Sequence, residues 1–379
     1  MGTTGKRKGL WLAGIGVIGG LLAIGFYLFL PKERQLTDKA RPVVHLDRTV
    51  DSSEEAKESG YWLSSNRLLI ISTDHEGFDG GYGGWQGHAD LFDLNTGSRM
   101  RLSGLSDLIN KYGSPLWDAP FGFEPHGTWI YWVNNIAGGR GGFEPVVAML
   151  DGSHFRKLEM DEPDMTFWLD NLHYVVIYKE EGSERNLNPK ITELKVYDIE
   201  NSKKDHNYPA SSYQAKSSLK RYYEIAPTET SIESSDSDRS QIHIIIRRRD
   251  YEAVDEERTL HSYAFTLPDN RNLLQSFASP DQNRIVYYVR NEKPIHFMSW
   301  IHRLIPSIQE RSIATEGLWV SRQDGQGLYE LGHVPANTRA NTPSGDQLED
   351  VQWLPDGKQI SFIYRGMLYV VPAEKRESP

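Results

Sequence analysis

The sequence predicts an all-β chain: six units of four antiparallel strands, arranged as one closed ring, behind a single membrane-crossing helix. Three observations predict it. Short apolar or alternating segments separated by tight-turn residues recur every 40 to 60 residues or so, the spacing of a radial repeat. The last unit stops one strand short, and a spare strand lies near the other end of the chain. One apolar run, at the N-terminus, differs in character from everything that follows.

That run comes first. Gly9 to Leu30 carries no charge, and as a helix its 22 residues would extend roughly 33 Å, enough to cross a bilayer core. Lys6, Arg7 and Lys8 precede it without an acidic residue, which places residues 1–8 in the cytoplasm as a short tail and the remainder outside. A cleaved signal peptide is the rival reading, but the run is long for one, and "FYLFLPKERQ" lacks a small-x-small cleavage site. "GIGVIG", Gly14 to Gly19, matches a dinucleotide fingerprint in letters only, since lipid offers neither the preceding strand nor hydrated amides. The expected location is the bacterial inner membrane, with the bulk of the chain in the periplasm or outside the cell. Residues 31–40 then read as a linker.

Beyond the span, 39 basic residues face 52 acidic ones, about −13, which argues against a nucleic-acid partner. The chain has no cysteine, so it offers no disulfide, thiolate metal site or thiol nucleophile.

The repeat is clearest in "VQWLPDGKQISFIYRGMLYVV", residues 351 to 371, where a strand, a Pro-Asp-Gly turn and two more strands follow one another without a spacer. "LLQSFASPDQNRIVYYVR" followed by "GLWVSRQDGQGLYELG" has the same grammar, with Asp324-Gly325 at the second turn. "FGFEPHGTWIYWV" with "VVAMLDGSHFRKLEM", and "NRLLIIST" with "ADLFDLNTGSRMRL", add two units. "FWLDNLHYVVIYK" with "TELKVYDIENSKKDH", and "SQIHIIIRR" with "LHSYAFTLPDNRNLL", add two divergent ones. Six four-stranded meanders of this length make a β-propeller, whose blades protect one another's edges.

"SPDQNRIVYYV" and "LPDGKQISFIY" resemble the S-P-D-G repeat of TolB-like propellers, most closely at Ser279-Pro280-Asp281 and Pro355-Asp356-Gly357. The resemblance spans residues 41–371 and implies fold, not chemistry, because these residues preset a turn. The last unit lacks its outermost strand, and "ARPVVHLDR" offers one; residues 41–48 are expected to pair with 367–371 and remove the open edge. Residues 372–379 are a tail.

With strands lettered A to D from the centre outward, B-to-C and D-to-A connections share one face. The A-to-B and C-to-D turns are tight, whereas residues 74–88, 134–144, 180–190, 248–258, 291–315, 103–115 and 333–347 are long and all fall on that one face. "APTETSIESSDSDRS", 226 to 240, breaks the pattern and reads as a solvated polar loop. Long loops on a rigid scaffold tend to carry function. Two neighbouring glycine-rich loops offer Asp79, Tyr82, Trp85 and His88, and Arg140 and Phe143, as candidate partner-binding residues. Loops packing their aromatics on each other are the plainer reading. Asp74, His75, Asp79 and His88 match no metal-site spacing, and no metal or cofactor is implied. The insertion "NEKPIHFMSWIHRLIPSIQERSIATE" has apolar residues at helical spacing, with Phe297 and Trp300 adjacent, and suits a helix that caps the ring or docks a partner.

Hydrolase, metalloprotease, nucleotide-binding and calcium-loop motifs are absent. The sequence favours a non-catalytic protein-binding or scaffold module of the cell envelope with a protein partner. A glycan- or peptide-directed hydrolase or lyase, with residues scattered over loops, is the alternative.

Overall fold

The computed structural model describes residues 35–48, 58–74, 86–112, 122–123, 128–135, 143–158, 165–170, 172–179, 191–209, 211–225, 228–234, 240–248, 258–268, 271–294, 312–336 and 347–374. The span read at 9–30 lies outside them. Among the described residues no helix is long and apolar enough to cross a membrane.

A short helix, α1 (Leu36–Lys39), leads into strand β1 (Arg41–His45). Sheet I then runs β2 (Glu58–Ser64), β3 (Arg67–Asp74), β4 (Gln86–Asp93) and β5 (Ser98–Arg101), followed by α2 (Ser103–Tyr112). Sheet II is β6 (Gly122–Phe123), β7 (Trp129–Asn135), β8 (Phe143–Met149) and β9 (Arg156–Lys157). Sheet III is β10 (Met165–Trp168), β11 (His173–Lys179), β12 (Ile191–Asp198) and β13 (His206–Pro209), followed by α3 (Tyr213–Ile225). Sheet IV has three strands, β14 (Thr228–Ser234), β15 (Gln241–Arg248) and β16 (Arg258–Thr266). Sheet V is β17 (Asn272–Ala278), β18 (Arg284–Pro294), β19 (Ser312–Arg322) and β20 (Tyr329–Ala336). Sheet VI consists of β21 (Leu348–Trp353), β22 (Gln359–Tyr364), β23 (Met367–Pro372) and, on its outer edge, β1.

Apart from β1, each sheet is an antiparallel meander of sequence neighbours, and five cores join sheets I to II, II to III, IV to V, V to VI and VI to I. Ile71 and Ala89 of sheet I share a core with Ile130 and Val146 of sheet II. Tyr131 of sheet II packs with Tyr174 and Tyr197 of sheet III. Ile244 of sheet IV meets Tyr287 of sheet V, Leu318 of sheet V meets Phe362 of sheet VI, and Val370 of sheet VI meets Ile70 of sheet I. Alternation along each strand sends one set of side chains to each neighbour, which is why these strands read as nearly continuous apolar runs. The architecture is a β-propeller.

Polar groups cross the same junctions. Trp62 Nε1 donates to Ser361 Oγ at 2.8 Å, Trp353 Nε1 to the Phe277 carbonyl at 3.0 Å, and Gln323 Nε2 to Thr230 Oγ1 at 2.9 Å. The Pro-Asp turns are structural. Asp281 Oδ1 accepts from Ser279 Oγ at 2.5 Å, and Gly357, at φ 65°, lets Leu354 and Gln359 close their turn. Arg284, from the turn of sheet V, donates to the carbonyls of Gly357 and Ala373 in sheet VI.

β1 pairs antiparallel with β23, Arg41 opposite Val370 and His45 opposite Met367. The chain then continues toward sheet I: Leu46 N–H donates to the Gly366 carbonyl at 2.7 Å, Asp47 N–H donates to Glu58 Oε2 at 2.9 Å, and Glu58 N–H donates to the Asp47 carbonyl at 2.9 Å. Leu36 and Leu46, both 0% exposed, fix this strap at its two ends, one in the V–VI core and one in the VI–I core. Residues 35–40 are therefore folded onto β20, with Gln35 bridged to His333, and are not an open linker.

Four expectations are corrected. Sheet IV has three strands among the described residues, not four. Residues 228–234, read as part of a solvated loop, form β14, paired residue for residue with β15 from Thr228–Arg248 to Ser234–Ile242. Alternation sends its one aliphatic side chain, Ile232, against the IV–V core. Residues 103–112, read as part of a face loop, form α2, whose Leu105 and Ile109 wedge between sheets I and II. The ladder of β18 and β19 continues to Pro294 opposite Ser312, which shortens the sheet V insertion at both ends.

Candidate functional site: the face of the long connections

The second and third strands of five sheets end in matching ladder pairs: Asp74–Gln86, Asn135–Phe143, Lys179–Ile191, Arg248–Arg258 and Pro294–Ser312. All five long connections therefore spring from one face. Sheet VI differs, because its β22–β23 connection is only Arg365-Gly366.

Of the residues singled out by sequence, two are placed. His88 lies at the start of β4, its Nε2 3.5 Å from Asp90 Oδ2, and Phe143 opens β8 opposite Asn135. Asp79, Tyr82, Trp85, Arg140, Phe297 and Trp300 lie outside the described residues. Among the described residues no group of three His, Asp or Glu is placed to hold a metal ion.

Beneath this face a band of charges runs from sheet V to sheet I. Asp90, 4% exposed, accepts from Arg99 Nε at 2.7 Å and Arg101 Nε at 2.5 Å. Burial alone would raise its pKa, but the two guanidiniums hold it below the usual carboxylate range. Glu58 behaves alike: burial opposes ionisation, while Arg99, the Asp47 amide and Ser72 Oγ hold its pKa down. Arg48 continues the band. It donates to the Glu58 carbonyl at 2.9 Å, and its guanidinium meets Glu349 at 2.9 Å and Asp350 at 3.2 Å, tying the strap to the inner strands of sheets VI and I. Burial pushes Glu349 up despite Arg48. Glu316, 1% exposed, accepts from Tyr288 Oη at 2.6 Å and from the Leu348 amide at 2.7 Å, joining sheets V and VI.

These carboxylates hold strands and sheets together; each spends its lone pairs on framework donors. Sequence reasoning missed the band because its members are single residues scattered from Arg48 to Asp350. The one available signal was alternation: His88 and Asp90 share a face of β4, as Arg99 and Arg101 share a face of β5.

A cleft of about 310 Å³ opens between the α1–β1 strap and the outer edges of sheets V and VI, lined by Gln35, Thr37, His45, Arg365, Met367 and Tyr369, with Pro335 and Tyr364 completing it.

No family model and no curated protein matches the chain. Among solved structures it is similar to the AtxE2 isopeptidase, at 8% identity and a TM-score of 0.42 over 90% of this chain and 53% of that one. It is also similar to the β-propeller domain of the trilobed protease from Pyrococcus furiosus, at 11% and 0.31 over 84% and 83%, and to TolB from Acinetobacter baumannii, at 11% and 0.25 over 84% and 54%. The chain thus spans about half the length of the isopeptidase and of TolB. Likenesses this distant say nothing of activity. By its strand order and its antiparallel four-stranded meanders, the chain has a β-propeller fold.

Proposed function

We propose that this chain is a six-bladed, membrane-anchored propeller that serves the bacterial cell envelope as a non-catalytic binding or scaffold module, engaging a protein partner through the face of the long connections. One observation carries the reading: the buried carboxylates beneath that face are committed to neighbouring strands, Asp90 to two arginines and Glu316 to a tyrosine and a backbone amide. Such groups stiffen a platform. They are not poised to exchange protons with a substrate.

Six sheets and five shared cores fit a six-membered ring, in which sheets III and IV supply the remaining junction. The anchor is residues 9–30, and since Gln35 is already folded onto sheet V, only residues 31–34 separate the two. Four residues span at most about 14 Å, so the propeller sits close to the bilayer.

The test is capture of envelope proteins by the full-length chain in detergent. Trp85→Ala combined with Arg140→Ala is expected to weaken capture by about 2 kcal/mol or more without shifting the melting curve. Undiminished capture of every partner overturns the assignment of the face, and turnover of a glycan or peptide library by the pure protein overturns the non-catalytic reading.

A further inference from the structure

Among the described residues β16 is the outer edge of sheet IV, and we propose that it pairs antiparallel, edge to edge, with β16 of a second copy of this chain. The inference goes beyond the face of the long connections and does not depend on a partner bound there.

The first observation is exposure. Counted from the centre, the third strand of every other sheet is covered by a fourth, and Ala89 of β4, Ala148 of β8, Leu194 of β12, Leu318 of β19 and Val370 of β23 are buried there. In β16 no side chain from His261 to Thr266 is buried, and His261, Ser262, Ala264 and Thr266 are exposed. Only residues 267–271 separate β16 from β17, too short a stretch for a turn and a returning strand of matching length.

The second observation is composition. A strand edge that stays unpaired is normally blunted by charge or by proline. The outer strands of the other five sheets have one or the other: Arg99 and Arg101 in β5, Arg156 and Lys157 in β9, Pro209 in β13, Pro335 in β20 and Pro42 in β1. The stretch from Thr259 to Leu267 holds neither a charged residue nor a proline, and so reads as a strand made for neighbours on both sides. Its ladder with β15 is unbroken from Thr266 to His261, which keeps the outer edge regular over that length.

The third is self-complementarity, and it selects the occupant. A two-fold axis normal to the sheet keeps each face of the strand on its own side, so odd-numbered residues meet odd ones and even meet even. In registers centred on Ser262, Tyr263 or Ala264, the rings of His261, Tyr263 and Phe265 meet one another as cross-strand aromatic pairs, while Ser262, Ala264 and Thr266 meet across the other face. No like charges come opposite each other, although the chain as a whole carries −10. One strand pair makes a small interface of the transient kind, which separates before the protomers melt.

The test uses single cysteines, since the native chain has none. Full-length chain in detergent carrying Ser262→Cys, Tyr263→Cys or Ala264→Cys is oxidised with copper phenanthroline beside Ser98→Cys, an exposed site on the outer strand of sheet I. At least one of the three should form the covalent dimer about tenfold faster than Ser98→Cys, because pairing raises the local thiol concentration. Adding His261→Lys and Thr266→Lys, both at exposed positions, should return that rate to the Ser98→Cys level and leave the melting curve in place. Equal rates at Ser98 and at all three β16 positions, as association through residues 9–30 alone would give, would overturn the pairing. So would a rate indifferent to the two lysines, or a thiol at position 262 that maleimide cannot reach because another part of the chain covers it.

Discussion

Among the described residues, sheets IV and VI each receive three strands from their own stretch of chain, and the two are treated differently. Sheet VI is completed from the far end of the sequence by β1, whereas sheet IV has three strands among the described residues and leaves β16 as its outer edge. On either side of residues 269–270, Leu267 is buried in the IV–V core and Arg271 lies over the Trp319 ring at 4.8 Å, within 3.3 Å of Glu330. The outer strand of sheet IV is exchanged for a crossing that packs between two sheets. Sheet VI instead takes its outer strand from β1, which precedes sheet I in the chain. β1 is thus the strand that joins sheet VI to the start of the propeller, with Leu46 in the VI–I core.

This difference predicts unequal sensitivity. The largest effect should follow deletion of residues 35–48, which removes β1, two fully buried leucines and the Arg48 bridge together. The loss should exceed about 5 kcal/mol and show as aggregation or a collapse of the melting temperature. A deletion variant melting with the parent would erase the distinction between the two sheets. Leu46→Ala alone should cost about 2–5 kcal/mol by denaturant titration, since the side chain is fully enclosed in the VI–I core.

Next in size comes the charged band that the strap enters. Asp90→Asn should cost about 1–3 kcal/mol at neutral pH, less than a fully buried pair because both guanidiniums reach solvent. Asp90 and Glu58 have folded-state pKa values below their unfolded ones. Their stabilisation is therefore complete above the unfolded values, near 4, and is lost as pH falls through the folded values. Melting temperatures between about pH 5 and pH 2 should drop more steeply for the parent than for Asp90→Asn. Glu349 has the opposite sign: its folded pKa is raised, so it withdraws stability as pH climbs from about 4 through that raised value, and Glu349→Gln should flatten this limb.

The smallest effect belongs to the open edge. Ser262→Lys on β16 should leave stability within about 0.5 kcal/mol while reducing light scattering on heating, because a lysine blunts an unpaired strand edge. A stability loss like that of Leu46→Ala would show that β16 is not an edge in solution.

Much of this was legible in the sequence because repetition is a local signal. A strand, a Pro-Asp turn and a second strand can be recognised at 351–371 without knowing what they pack against, and a spare strand at 41–48 is noticed once the last unit runs out. Polar elements were harder. "TETSIES" carries a single aliphatic residue, and an inner strand needs no more, so composition alone could not separate it from a loop. α2 and α3 hid in connections, although Leu102, Leu105 and Ile109 at helical spacing marked one, and the Ser212 hydroxyl accepting from Ala215 N–H marks the start of the other. The charged band and the cleft were illegible for a different reason: Arg48 meets Glu349, and Thr37 comes to line one cleft with Arg365, only once β1 has paired with β23.

Closure by the N-terminal strand is therefore the claim on which the rest depends, and a cross-link reads it directly. The native chain has no cysteine, so His45→Cys with Met367→Cys, opposite each other on β1 and β23, introduces the only two thiols. On oxidation they should form an intramolecular disulfide in nearly every molecule and, by fastening almost the whole propeller into one covalent loop, raise stability by about 4 kcal/mol. Failure to form that bond in the folded protein, or formation only between molecules, would contradict the closure.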